Sequence, residues 1–112
     1  MSSSPSPPKL VRDRIPELIA AAGQTPCVRV LAPAAYRRAL TAKLTEELAE
    51  FEAGGEVEEL ADLVEVIQAI VEERGVSWEA FEEQRAAKRT ERGGFRDRLW
   101  LESAVVKGED RW

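Results

Sequence analysis

Apolar residues recur every three or four positions through the middle of the chain, and this spacing predicts two long helices. The first is expected from residue 34 to about residue 53, and the second from about residue 56 to residue 73 or 74. Pro33 suits the first turn of a helix, whereas Gly54 and Gly55 suit the end of one. The glycines therefore predict a tight turn that folds the second helix back on the first.

Shorter elements are expected on both sides of this hairpin. Pro16 and Gly23 bracket a short helix, and a third long helix is expected from residue 78 to about residue 91. Residues 27–31 have the composition of a short edge strand, and residues 95–101 that of an extended segment docked on the protein. The expected fold class is all-α, an antiparallel helical bundle with these two short extended segments.

The second long helix carries apolar residues over more than half of its circumference. Its central stripe consists of Leu60, Val64, Ile67 and Val71, and the residues that widen it are Val57, Leu63, Val66 and Ile70. A helix this apolar must be covered on more than one side. Because the chain is short, a second copy of it is the expected cover, which predicts a homo-oligomer.

Carboxylates interrupt the apolar stripes of both long helices. With about 3.6 residues per turn, Glu47 falls inside the leucine stripe of the first helix, and Glu59 falls between two apolar side chains of the second. Glu50 and Asp62 follow them at a spacing that puts each on a neighbouring position of the same face. An unpaired buried carboxylate costs several kcal/mol, so Glu47 needs either an arginine from another helix or a metal ion.

The composition removes several classes of chemistry. The 112 residues include no histidine and one cysteine, Cys27, which excludes triads with an imidazole base, His/Cys zinc sites and a disulfide within the chain. The net charge of -5 disfavours nucleic-acid polymers as partners. No apolar run is long enough to span a membrane, and residues 1–8 lack the layout of a secretion signal, so a cytoplasmic protein is expected. We expect a single domain at residues 9–102, between a disordered tail at 1–8 and a C-terminal tail at 103–112.

Two basic clusters each leave two interpretations open. The cluster before the first short helix consists of Lys9, Arg12 and Arg14. These residues are either solvated surface charges or a binding site for phosphate. The cluster near the end of the third long helix consists of Arg85, Lys88 and Arg92. These cations either complement the helix dipole or bind a polyphosphate.

The acidic spacing carries a resemblance to a known family. Ligands that offer only oxygen select Mg²⁺, with Mn²⁺ as a substitute, and Mg²⁺ leaves coordination positions for water and phosphates. Glu46-Glu47-x-x-Glu50 followed by Glu59-x-x-Asp62 resembles the EExxE…ExxD signature of the all-α nucleoside triphosphate pyrophosphohydrolases. This MazG-like superfamily includes the phosphoribosyl-ATP pyrophosphohydrolases. The segments KLVRDRIP at 9–16 and RGGF at 92–95 are similar to a subgroup of small stand-alone members, and the resemblance covers residues 9–102.

The resemblance implies a role for each matching position. The implied Mg²⁺ ligands are Glu47, Glu50, Glu59 and Asp62, and the implied catalytic residues are Glu46 and Glu47. Glu46 matches a position that either binds a second metal or orients the attacking water. The implied phosphate contacts are Lys43, Lys88 and Arg92, with Lys9 and Arg12 as further substrate grips. The implied assembly is a helical bundle that forms a dimer or a dimer of dimers.

The expected function is Mg²⁺-dependent hydrolysis of a nucleoside triphosphate to a monophosphate and pyrophosphate. One departure from the superfamily is the short linker between the two motifs, residues 51–58, which leaves little room for a loop that covers the substrate. The sequence also offers no aromatic or amide pair that can be assigned to a nucleobase. Two alternatives remain. One is a noncatalytic helical module whose acidic pairs face solvent or bind Arg85, Lys88 and Arg92, and the other is a relative that binds nucleotides without turnover.

Overall fold

The computed structural model describes residues 8–104, which form four α-helices and contain no β-strand. They are α1 (Ile15–Ala21), α2 (Pro33–Gly54), α3 (Val57–Glu73) and α4 (Trp78–Arg92). The all-α fold class is therefore confirmed. The tails predicted at 1–8 and 103–112 lie for the most part outside the described residues.

Helices α2 and α3 form an antiparallel hairpin joined at Gly55. Its φ of 71° is left-handed, a conformation that glycine adopts without a steric penalty, and its N–H donates to the Phe51 carbonyl at 2.7 Å. At the open end of the hairpin, Arg37 Nε donates to Glu73 Oε1 at 2.8 Å. The tight turn predicted from the glycines is thus present, and the first half of α2 faces the second half of α3.

The buried apolar core is small and consists of Leu40 on α2 with Val66 and Val71 on α3. Val66 lies on the side of α3 that also carries Glu59 and Asp62, which is the side turned toward α2. The opposite stripe, formed by Val57, Leu60 and Val64, is 79%, 39% and 48% exposed. The wide apolar surface predicted for this helix is therefore partly uncovered in the single chain.

The two predicted extended segments are corrected by the structure. Residues 27–31 are irregular rather than an edge strand, because the described part of the chain offers them no strand to pair with. Residues 95–101 are not docked: Phe95 and Trp100 are 98% and 84% exposed, and a turn begins directly after the phenylalanine. Composition marked the first segment and alternation of apolar and basic residues the second, but a strand needs a neighbouring backbone as well as a pattern.

The chain divides into two compact units, with the division after Trp78. The first unit contains α1, α2 and α3 together with residues 8–14, which lead into α1. The second contains the rest of α4 and the described residues that follow it. Among the described residues, no helix has the length and apolarity needed to cross a membrane.

Candidate metal centre

Carboxylates from α2 and α3 meet in the closed half of the hairpin. One group consists of Glu46, Glu47 and Glu50, and the other of Glu47, Glu59 and Asp62. Within each group, one oxygen from every residue lies within 4.8 Å of the others. The two groups share Glu47, which lies close to Glu46 and Glu50 of α2 in one group and to Glu59 and Asp62 of α3 in the other.

Glu47 is the buried member of this cluster. It is 6% exposed, and its Oε2 atom has no hydrogen-bond partner in the described part of the chain. Its other oxygen lies 3.3 Å from Lys43 Nζ, one turn earlier on the same helix. The predicted burial of Glu47 is confirmed, but its ion-pair partner is a lysine of α2 rather than an arginine from another helix.

Lys43 bridges two of the carboxylates. Its ammonium donates to Glu46 Oε1 at 3.3 Å as well as contacting Glu47. Partial burial lowers the pKa of Lys43, but the hydrogen bonds to Glu47 and Glu46 raise it by more, so the net shift is upward. The lysine is therefore a permanent positive charge at the edge of the cluster.

The remaining negative charge is visible in two shifted carboxyl groups. The negative charge of Glu47 is the main cause that raises the pKa of Glu50, followed by desolvation, by a hydrogen bond that protonated Glu50 shares with Glu47, and by the charges of Glu46 and Glu59. The pKa of Glu59 is raised by desolvation first and then by Asp62 and Glu47. Repulsion by neighbouring carboxylates thus dominates the shift of Glu50, and at Glu59 it adds to the larger effect of desolvation.

The N-terminal basic segment reaches the cluster from the side of α3. Arg12 Nη2 donates to Asp62 Oδ1 at 2.6 Å, although the two residues are far apart in sequence. Lys9 lines a smaller cleft of about 230 Å³ together with Lys43 and Glu46. Arg14, in contrast, pairs locally with Glu17 at 2.9 Å. Two of the three basic residues of this segment thus lie where an anionic ligand of the cluster would meet them.

A larger cleft of about 480 Å³ runs along the hairpin beside the cluster. Glu47, Asp62, Lys43 and Arg12 all contribute to its wall. Such a volume lies in the range of small-molecule sites. The cluster therefore borders a space in which a ligand can contact carboxylates and cations together.

The basic residues predicted on α4 belong to the second compact unit. Lys88 and Arg92 are exposed near the end of that helix. Arg85 Nε donates to Glu82 on the same helix at 2.8 Å, and this pairing raises the pKa of Arg85. The role of Lys88 and Arg92 as phosphate contacts stays a prediction.

The donor set fits a hard divalent cation. It offers only carboxylate oxygens, and one of them, Glu47 Oε2, is buried without a partner. The residues that would hold a cation are Glu47, Glu50, Glu59 and Asp62, with Glu46 beside them.

The hairpin and its carboxylates define an all-α protein with a cluster of acidic residues that could hold a metal ion. No family model matches the chain, and no solved structure matches it. An uncharacterized protein of Mycolicibacterium smegmatis is 60% identical to it over 45 residues. The similarity covers 40% of this chain and 46% of that protein, so the chain matches less than half the length of this relative.

Sequence reasoning did not find every residue that lines the large cleft. Tyr36, Gln68 and Glu72 lie in its wall but belong to no motif. Tyr36 and Gln68 sit on different helices, and neither interrupts an apolar stripe as Glu47 does. The register of the hairpin was the signal that could have brought them together, because pairing Glu47 with Asp62 sets the first turn of α2 opposite the end of α3.

Proposed function

We propose that this protein is a Mg²⁺-dependent nucleoside triphosphate pyrophosphohydrolase, which cleaves its substrate to a nucleoside monophosphate and pyrophosphate. The observation that carries the proposal is the buried Glu47 with its unpaired oxygen, at the point shared by two groups of carboxylates. Lys43 pairs with only one oxygen of Glu47, and the other costs stability unless a further cation or donor contacts it. The resemblance of the acidic motif to the MazG-like enzymes supports the same assignment.

The bound cation would polarise a phosphoryl oxygen and neutralise the phosphate chain. Glu47, Glu50, Glu59 and Asp62 hold it in the proposed site. Glu46 takes the proton from the water that attacks phosphorus as the anhydride P–O bond breaks and pyrophosphate leaves with the bonding electrons. Glu46 lies on the exposed side of Glu47, within the acidic group of α2, which suits it to accept that proton.

The cations of the first unit complement the anionic substrate. Lys43 and Arg12 line the large cleft together with Glu47 and Asp62, and Lys9 lies in the adjoining small cleft. In the proposed reaction they contact phosphate oxygens and stabilise the departing pyrophosphate. Lys88 and Arg92 are assigned the same role by resemblance alone.

The assembly forms part of the proposal. The stripe of Val57, Leu60 and Val64 faces away from α2 and is exposed, and a second copy of the chain is the proposed cover. We propose a dimer or a dimer of dimers, in agreement with the resemblance. Size-exclusion chromatography with light scattering tests it, since a monomer at high protein concentration would contradict it.

The activity is tested by assaying pyrophosphate release from a broad panel of nucleoside triphosphates with Mg²⁺ or Mn²⁺. The expected result is release by the wild-type protein and its loss in Glu47→Gln and Asp62→Asn. Glu52→Gln is the matched control, because Glu52 is an exposed glutamate of the same helix outside the acidic groups. No release from any nucleotide, or full release by the two cluster variants, would refute the proposal.

A noncatalytic module is the second candidate, and the ion pairs of the cluster favour it. Arg12 with Asp62, and Lys43 with Glu46 and Glu47, already neutralise part of the acidic charge. If these pairs are purely structural, Mg²⁺ leaves the melting temperature unchanged. If the cluster binds Mg²⁺, the melting temperature rises with its concentration by mass action. A rise without pyrophosphate release would instead identify a nucleotide-binding protein without turnover.

A further inference from the structure

The large cleft continues past the acidic cluster toward the open end of the hairpin. Tyr36 and Gln68 line it there. At 1.5 Å per residue, Tyr36 lies about 16 Å from Glu47 along α2, and Gln68 lies about 9 Å from Asp62 along α3. A nucleoside triphosphate whose phosphates lie at the cluster therefore has its nucleoside at this end of the cleft.

The polar groups at this end have unused hydrogen-bonding capacity. Tyr36 and Gln68 are half-buried residues, and neither the hydroxyl nor the amide hydrogen-bonds to another group in residues 8–104. Both groups line the wall of one cleft, so they are available to hydrogen-bond a ligand that displaces water from it. The amide offers donors and an acceptor together, which is the combination that matches the edge of a nucleobase.

Carboxylates complete this end of the cleft. Asp13 and Glu72 line the same wall. Their charges, after desolvation, raise the pKa of the Tyr36 phenol, which shows that they lie near its ring. Carboxylates here repel phosphate and accept hydrogen bonds from hydroxyl groups. The cleft therefore has cations and the acidic cluster at one end, and an aromatic ring, an amide and two lone carboxylates at the other.

We propose that the open end of the cleft binds the nucleoside of the substrate. The Tyr36 ring stacks on the base, the Gln68 amide hydrogen-bonds to its edge, and Asp13 and Glu72 accept hydrogen bonds from the ribose hydroxyls. This inference rests on the proposed function, since it takes the phosphate chain to lie at the acidic cluster. It assigns the base recognition for which the sequence alone offered no residues.

The nucleoside site is tested by measuring the binding of nucleotide analogues rather than their turnover. The probes are the α,β-methylene analogues of ATP, GTP, CTP and UTP, which resist cleavage at the expected bond, and inorganic tripolyphosphate, which lacks a nucleoside. Affinities are measured by titration calorimetry with Mg²⁺ present. At least one analogue is expected to bind more tightly than tripolyphosphate. Because stacking on an aromatic ring is worth about 1–3 kcal/mol per base, Tyr36→Leu is expected to weaken that analogue by about 5- to 150-fold.

Matched variants separate the nucleoside site from the phosphate site. Tyr36→Phe keeps the ring and is expected to keep most of the affinity, whereas Gln68→Leu is expected to weaken the analogue and change base preference. Tripolyphosphate affinity is expected to stay unchanged in all three variants, which also verifies that they are folded. Unchanged analogue binding in both Tyr36→Leu and Gln68→Leu would overturn the inference, as would analogues that bind no more tightly than tripolyphosphate. Tight, Tyr36-dependent binding without pyrophosphate release would uphold the nucleoside site and refute only the proposed activity.

Discussion

Replacing Glu47 with leucine is expected to stabilise the metal-free protein. The substitution removes a buried oxygen that has no partner, and leaving such a group unsatisfied costs about 1–3 kcal/mol. It places an apolar side chain on the stripe that includes Leu40. Lys43 loses one contact but keeps Glu46 at 3.3 Å, so no buried cation is left unpaired. The expected net gain is about 2 kcal/mol, or about 8–16 °C in melting temperature for a domain of this size.

Mg²⁺ reverses this advantage. If Glu47 is a ligand, the wild-type protein gains about 2.7 kcal/mol at a Mg²⁺ concentration one hundred times its Kd, whereas Glu47→Leu gains little. The wild type is therefore the less stable protein in chelator, and it overtakes Glu47→Leu as Mg²⁺ is added. Few substitutions at a purely structural residue behave in this way.

Thermal melting followed by circular dichroism, in chelator and over a Mg²⁺ titration, measures both effects. Glu52→Leu is the matched control: it makes the same chemical change at an exposed position of α2 and is expected to respond to Mg²⁺ as the wild type does. The reasoning is refuted if Glu47→Leu melts below the wild type in chelator, because Glu47 would then be a structural partner of Lys43. It is equally refuted if the variant keeps the full Mg²⁺ response.

Three further predictions concern the surroundings of the cluster. Arg12→Ala removes a cation that competes with Mg²⁺ for Asp62. Because an exposed ion pair is worth about 0–1 kcal/mol, calorimetry should show that the variant binds Mg²⁺ up to about fivefold more tightly. Weaker binding of Mg²⁺ would show that Arg12 does not compete with it. Glu50→Gln should raise the melting temperature of the metal-free protein at neutral pH, because the raised pKa of Glu50 shows that its charged form is disfavoured in the fold. That gain should vanish below the ordinary pKa of 4.5, and a gain independent of pH would exclude this cause. Gly55→Ala forces a left-handed φ of 71° on a residue with a side chain, so it should lower the free energy of unfolding by about 1–2 kcal/mol in denaturant titrations. Gly54→Ala should leave that free energy unchanged or raise it. Equal effects of the two substitutions would argue against the turn geometry.

The helices and the convergence of the carboxylates could be predicted because both follow from local spacing. Residues three or four apart share a face on any helix, so Glu47 could be placed in the apolar stripe without knowledge of the fold. The glycines after Phe51 then fixed the turn. The wide apolar surface of α3 does not specify which of its sides meets α2. The exposure of Leu60 and Val64 could therefore be seen only in the structure.

Contacts between distant segments were beyond sequence reasoning. Arg12 reaches Asp62 because of the path that the chain takes between α1 and α2, and irregular segments leave no periodic signal from which to derive a path. The partner of Glu47 was missed for a different reason. A lysine one turn before a glutamate is common on solvent-exposed helix faces, so Lys43 gave no sign that it lies at a buried carboxylate.

The charge balance of the cluster separates a structural role from a metal-binding one. Five carboxylates, from Glu46 to Asp62, lie in the two overlapping groups, and the cations that pair with them are Lys43 and Arg12. A network that existed only to hold the helices together would be stabilised by balancing its charges, yet several negative charges remain, and the raised pKa values of Glu50 and Glu59 register the repulsion. Arg12 pairs with an exposed oxygen and is free to exchange it for another anion, whereas the unpaired oxygen of Glu47 is buried and has no such exchange available. The uncompensated charge is therefore concentrated around a buried oxygen that no side chain of the described residues reaches, and this is the reason to propose a metal centre rather than an ion-paired bundle.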